Sequence, residues 1–159
     1  MNSKIKRIID FSTAFGPSGM EDEVSSLAME DVKDICEVHD DTMRNTYMHF
    51  KQDKEHETTI LLDAHADEVG FIVQAIKPNG TIRFLPLGGW DPKNIVSGEV
   101  WILNDKGEKI SGIVASQPVH FLSEEKRNGK VDFDDLVIDV GATSVQEVNK
   151  LLTQFEQSK

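Results

Sequence analysis

The run Thr58-Thr59-Ile60-Leu61-Leu62-Asp63-Ala64-His65-Ala66-Asp67-Glu68 decides the fold. Its first five residues form a nearly continuous apolar and β-branched stretch, the pattern of a strand covered on both faces in an α/β sheet. The polar residues that follow would lie at the strand's carboxyl end, where open α/β sheets place their ligands. Asp63, His65, Asp67 and Glu68 put three acids and one histidine within six residues. An imidazole at that position presents one ring nitrogen to a metal, and a carboxylate two residues on holds the other and fixes the ring. The plainer alternative leaves His65 as a strand-end hydrogen-bonding group and the acids as solvated loop charges.

Upstream, Ile5, Ile8, Ile9 and Phe11 or Phe15 fall on one helical stripe that stops at Gly16-Pro17. Ser18-Gly19-Met20-Glu21 has a hydroxyl three residues before a carboxylate, the spacing of a reciprocal helix cap. It precedes Val24, Leu27, Ala28 and Val32 on one face and predicts a second helix starting there. Residues 35–51 read as two short extended pieces around a turn at Asp40-Asp41-Thr42 and Arg44-Asn45.

Downstream the texture changes at Val69. Residues 69–76, 81–87, 99–103 and 109–115 alternate as strands, joined by Pro78-Asn79-Gly80, Gly88-Gly89-Trp90-Asp91-Pro92 and Asn104-Asp105-Lys106-Gly107. This predicts a compact β barrel or sandwich inserted into an α/β domain. Residues 136–140 form a further apolar strand ending at Gly141. Thr143 or Ser144 then caps a helix carrying Val145, Val148, Leu151 and Leu152.

Composition narrows the function. The 159 residues, 38% of them hydrophobic, suffice for one packed domain with a smaller insertion. With 17 Lys+Arg against 28 Asp+Glu, the net charge of −11 repels phosphate backbones and anionic lipid, so neither nucleic acid nor a membrane surface is an expected partner. No stretch approaches about 18 uninterrupted apolar residues. Asp10 falls where a signal peptide would continue its apolar core, and a cytoplasmic location is expected. The single cysteine, Cys36, excludes an intrachain disulfide and a thiolate-built structural zinc site. Nearby acids raise a thiol pKa, so Cys36 reads as a packing residue rather than a nucleophile. His39, His49, His56 and His120 do not complete a metal site with His65 by spacing, and no pair has the i, i+4 interval of a zinc-protease helix.

Five ordered motifs carry a resemblance: Gly16-Pro17-Ser18-Gly19-Met20-Glu21, the segment from Asp63 to Val73, Leu87-Gly88-Gly89-Trp90-Asp91-Pro92, the segment from Gly112 to His120, and Val137-Ile138-Asp139-Val140-Gly141-Ala142. Together they resemble the metal-dependent aminopeptidases of the glutamyl aminopeptidase and tetrahedral aminopeptidase group, some of whose members are labelled endoglucanases. The resemblance implies a partial phosphorylase/peptidase-like α/β catalytic domain at 1–68 and 132–159, with a small β-barrel dimerisation domain inserted at 69–131. It implies two metal ions, zinc or cobalt, with His65 a ligand of one and Asp67 the active-site acid that orients it.

By the same resemblance the bridging aspartate, the paired glutamates that include the general base, and the remaining ligands lie beyond the point matching Gly141-Ala142. The resemblance therefore covers the N-terminal half of a family member. The chain is expected to bind metal weakly and hydrolyse no peptide by itself, which leaves its standing as an enzyme open. A peptide would bind only at a completed site. The implied partners are a second copy, through the inserted β domain, or a C-terminal half-chain. The alternative function is a non-catalytic dimerisation or interaction module derived from the family. Two departures stand out: Met43-Arg44-Asn45 replaces the family's Met-Gly-Asn, and Ala66 stands where a bulkier residue is common.

Overall fold

The computed structural model describes residues 3–51, 58, 60–121, 123–124 and 129–152. They fall into two compact units, Met1–Gly70 and Phe71–Lys159.

In the first unit the predicted helices form as α1 (Ser3–Thr13) and α2 (Asp22–Val32). The last turn of α1 is tightened by Ser12 and Thr13, whose hydroxyls donate to the Ile9 carbonyl at 3.1 and 2.8 Å. An ion pair from Arg7 Nε to Asp31 Oδ2, 2.7 Å, joins the two helices. The reciprocal cap expected at Ser18 and Glu21 does not form. Glu21 itself occupies the cap position of α2 without a side-chain bond to the helix. Its Oε1 accepts from Gly19 N at 2.6 Å instead, and the Ser18 hydroxyl is turned elsewhere.

The two extended pieces are β1 (Cys36–Asp40) and β2 (Thr46–Phe50), antiparallel in register from Cys36↔Phe50 to Asp40↔Thr46. Cys36 is buried, as a packing residue should be. Asp41 builds the turn: its Oδ1 accepts from Met43 N and Asn45 N at 2.9 and 3.0 Å. Arg44 in that turn has φ +67°, the left-handed region that favours glycine. Arginine holds that conformation here, and its guanidinium pairs with Asp22.

The strand expected over 58–62 is a correction. Thr58 and Ile60-Leu61-Leu62 lie outside any strand, and Thr59 is outside the described residues. A strand exists only where a neighbour completes its ladder, and among the described residues none pairs with this run. Ile60, Leu61 and Leu62 are 83%, 84% and 90% exposed.

The second unit holds a five-stranded sheet of order β3-β4-β7-β6-β5. Its strands are β3 (Gly70–Ile76), β4 (Ile82–Leu87), β5 (Glu99–Leu103), β6 (Lys109–Ser116) and β7 (Leu136–Asp139). The pairs β5/β6, β6/β7 and β4/β7 are antiparallel. Strand β7 sits between β4 and β6, with Val114↔Ile138 and Ile82↔Ile138 as partners. Its Leu136 and Ile138 are buried while Asp139 is exposed.

Ile82, Phe84, Ile95, Ile102, Val114, Leu136, Ile138, Ala142 and Val148 form the core. Phe71 meets Phe84 edge-on at 4.8 Å and stacks on Trp90 at 4.9 Å. The last helix, α3 (Val145–Leu152), inserts Val148 into this core. Its start carries a shifted capping box: Ser144 Oγ accepts from Glu147 N at 3.3 Å, and the Glu147 carboxylate accepts from Thr143 N at 2.7 Å. Buried Asn104 ties the β5–β6 turn to the other end of α3. Its amide donates to Glu108 Oε2 and Leu151 O at 2.9 and 3.0 Å, and its oxygen accepts from Lys106 N and Glu108 N.

Candidate functional site

The site is built by two segments of the first unit that meet side by side. Gly16 and Pro17 are buried, and Pro17 forms a parallel bridge with Glu68. Glu68 N donates to Gly16 O at 2.8 Å, and Gly16 N donates to Glu68 Oε1 at 3.2 Å. Gly70 permits this approach, since a Cβ there would meet Pro17 Cβ at 2.9 Å, while a Cβ on Gly16 would meet Val24 Cγ2 of α2 at 2.6 Å. The residue that follows this clamp on one side is Ser18; those that precede it on the other are His65 and Asp67.

His65 Nδ1 lies 2.9 Å from Asp67 O and 3.1 Å from Asp67 Oδ1. Both partners are oxygens that only accept, so Nδ1 carries the proton and the Nε2 lone pair is left for a Lewis acid. The His65 side chain is 85% exposed, so that lone pair is accessible. The Ser18 hydroxyl donates to Asp67 Oδ2 at 2.8 Å. The two oxygens of one carboxylate thus hold two different donors. The Ser18 bond first, and the His65 ring second, keep the Asp67 carboxyl below its ordinary value, so it is ionised at neutral pH.

Sequence reasoning identified His65 and Asp67, and the structure brings them together. It did not identify Ser18, whose partner lies 49 positions along the chain. In the structure three residues, Gly19, Met20 and Glu21, separate Ser18 from the first residue of the helix it was expected to cap. Of the other histidines, His39 and His49 stack on the two-stranded sheet with ring centroids 5.8 Å apart, His120 lies in the second unit and His56 is outside the described residues. Among the described residues no three His, Cys, Asp or Glu side chains converge to hold a metal. No described helix is long and apolar enough to cross a membrane.

Comparison with known proteins follows this geometry. The sequence profile of the M42 glutamyl aminopeptidases matches residues 45–155. Lysyl aminopeptidase from Pyrococcus furiosus is 32% identical over 150 residues, covering 92% of this chain and 41% of the relative. Among solved structures, a TET aminopeptidase from a marine-sediment Thaumarchaeota archaeon superposes with a TM-score of 0.87 at 34% identity, over 94% of this chain and 42% of that one. The Pyrococcus horikoshii TET1 peptidase, which can assemble into a tetrahedron or a large octahedral shell, gives 0.81 at 31% identity over 94% and 44%. The chain therefore spans about two-fifths of the length of these relatives. With a profile match over more than half its residues, it belongs to the M42 glutamyl aminopeptidase family.

Proposed function

We propose that this chain supplies the His65–Asp67 anchor of a metal-dependent aminopeptidase. The observation that carries the reading is the pair of oxygens, 2.9 and 3.1 Å from His65 Nδ1, that commits the ring proton to Asp67. The donor chemistry fits a borderline transition-metal ion: an imidazole with its Nε2 exposed and its Nδ1 held by the carboxylate and carbonyl of Asp67 behind it. Zinc or cobalt are the ions in question. Such an ion, when bound, lowers the pKa of its water and polarises the scissile carbonyl. The chain's own part is to hold the imidazole in one tautomer and one orientation.

A dinuclear centre needs more ligands than the one imidazole described here. In this reading the remaining ligands and the general base come from polypeptide equivalent to the part of the relatives that this chain does not match. The substrate is a peptide, hydrolysed at its N-terminal residue in the completed cytoplasmic site. The exposed run Ile60-Leu61-Leu62 supports that view, because three large apolar side chains in water cost several kcal/mol against burial. Exposed Leu85, Trp101 and Ile113 on the five-stranded sheet favour association with a second copy as the accompanying role.

The test is hydrolysis of aminoacyl p-nitroanilides with added Zn²⁺ or Co²⁺. The chain alone is expected to show no turnover. Turnover is expected when it is mixed with the complementary polypeptide of a TET relative, and loss of that turnover in His65→Ala. Activity of the mixture unaffected by His65→Ala would refute the assignment.

A further inference from the structure

We infer that Ser18 is a positioning residue for this site: its hydroxyl fixes the Asp67 carboxylate, and through it the tautomer of His65. The inference rests on the reading of His65 as the metal anchor and extends it to a residue in a separate segment of the chain.

An aspartate side chain has a broad, two-fold preference about its last bond, so one hydrogen bond does not fix the plane of its carboxylate. Two donors on different oxygens do. In this site Ser18 holds Oδ2 at 2.8 Å while the His65 ring holds Oδ1 at 3.1 Å. Asp67 is partly exposed, so without Ser18 water competes for Oδ2 and the carboxylate turns freely. The ring would keep only the Asp67 backbone carbonyl, 2.9 Å from Nδ1, as a fixed acceptor.

The placement of Ser18 is itself determined by the fold. Gly16 and Glu68 exchange two hydrogen bonds, Pro17 packs on Gly70 across the bridge, and Phe15 N donates to Glu23 Oε2 at 2.9 Å. This clamp fixes the backbone on both sides of the Ser18–Asp67 contact. The hydroxyl is also free of the role its sequence context suggested, since α2 carries no side-chain cap from it. A serine released from capping and aimed at the acid behind a ligand imidazole is a support for that imidazole.

The experiment uses the full metal-free chain, labelled with ¹⁵N, and reads the His65 ring tautomer from long-range nitrogen–proton correlations at a pH where the ring is neutral. The variants are Ser18→Ala, Ser18→Thr and Ser18→Val; the last two are close in shape and differ by the hydroxyl. Wild type and Ser18→Thr are expected to hold His65 mainly as the Nδ1–H form. Ser18→Ala and Ser18→Val are expected to lower the ratio of Nδ1–H to Nε2–H by roughly threefold or more, the scale of one lost hydrogen bond. The Gly16 and Glu68 amide shifts should stay in place. Equal ratios in Ser18→Thr and Ser18→Val would overturn the inference, as would a wild-type ratio in Ser18→Ala. Zn²⁺ titration of the same samples separates the two levels. A wild-type chain whose His65 ignores zinc contradicts the metal reading, while the tautomer result decides the role of Ser18 independently.

Discussion

The two units spend their apolar residues differently. Among the described residues of Met1–Gly70, only Ala14, Gly16, Pro17 and Cys36 are buried. Ile5, Ile8, Phe50 and the run from Ile60 to Leu62 stay in water. Phe71–Lys159 instead closes a core of its own, with Ile82, Val114, Leu136 and Val148 almost fully out of solvent. The difference teaches that the second unit satisfies its hydrophobic pattern internally. The first is patterned for surfaces that the described residues do not supply.

The sharpest way to break that contrast is to truncate one side chain in each unit. Ile138→Ala, at 2% exposure in the centre of the second core, should cost about 2–5 kcal/mol in urea unfolding of that unit. Leu61→Ala, at 84% exposure, should change stability by less than about 0.5 kcal/mol. Comparable losses would mean that the run from Ile60 to Leu62 is packed after all.

A backbone test comes next. Gly80 has φ +82°, and a Cβ there would meet the Ala142 carbonyl oxygen at 2.4 Å, a contact with backbone that cannot swing away. Gly80→Ala should destabilise the second unit by about 2–3 kcal/mol. The first unit offers the opposite case. Arg44 holds φ +67° at a modest cost, and its ion pair with Asp22 is solvent-exposed. Arg44→Gly should therefore stabilise the first unit by about 1 kcal/mol, read as a shift of its denaturation midpoint.

The smallest effect is a pH dependence of the second unit's stability. The Thr143 amide, then its hydroxyl, then Lys150 hold Glu147 below its ordinary value of 4.5. A depressed carboxylate contributes stability that is complete above its unfolded pKa and is lost as pH falls through the lower folded one. The melting temperature of this unit should fall on acidification below 4.5, and Glu147→Gln should flatten that slope. An unchanged slope would remove the capping box from the explanation.

These contrasts follow how much the sequence revealed. The strand over 82–87 was legible because alternation at Ile82 and Phe84 reports a single buried face, and the one over 136–139 because it is a short apolar run. What alternation did not report was company: nothing local in 136–139 says that its neighbours are β4 and β6 rather than a parallel sheet. The run at 58–62 misled for the same reason, since strand character depends on partners as much as on side chains. At the site, His65 and Asp67 were legible because the contact spans two positions. Ser18 was not, because local capping and a distant carboxylate compete for one hydroxyl and tertiary contact decided between them.

The central claim is that His65, alone among the described histidines, is poised to take a metal. Its most direct test is titration of the ¹⁵N-labelled chain with Co²⁺ and Zn²⁺ while the ring resonances of all five histidines are followed. We predict that His65 Nε2 responds first, that binding is weak with a single imidazole, and that His65→Ala abolishes the response. A first response at the stacked His39–His49 pair, with His65 silent, would contradict it.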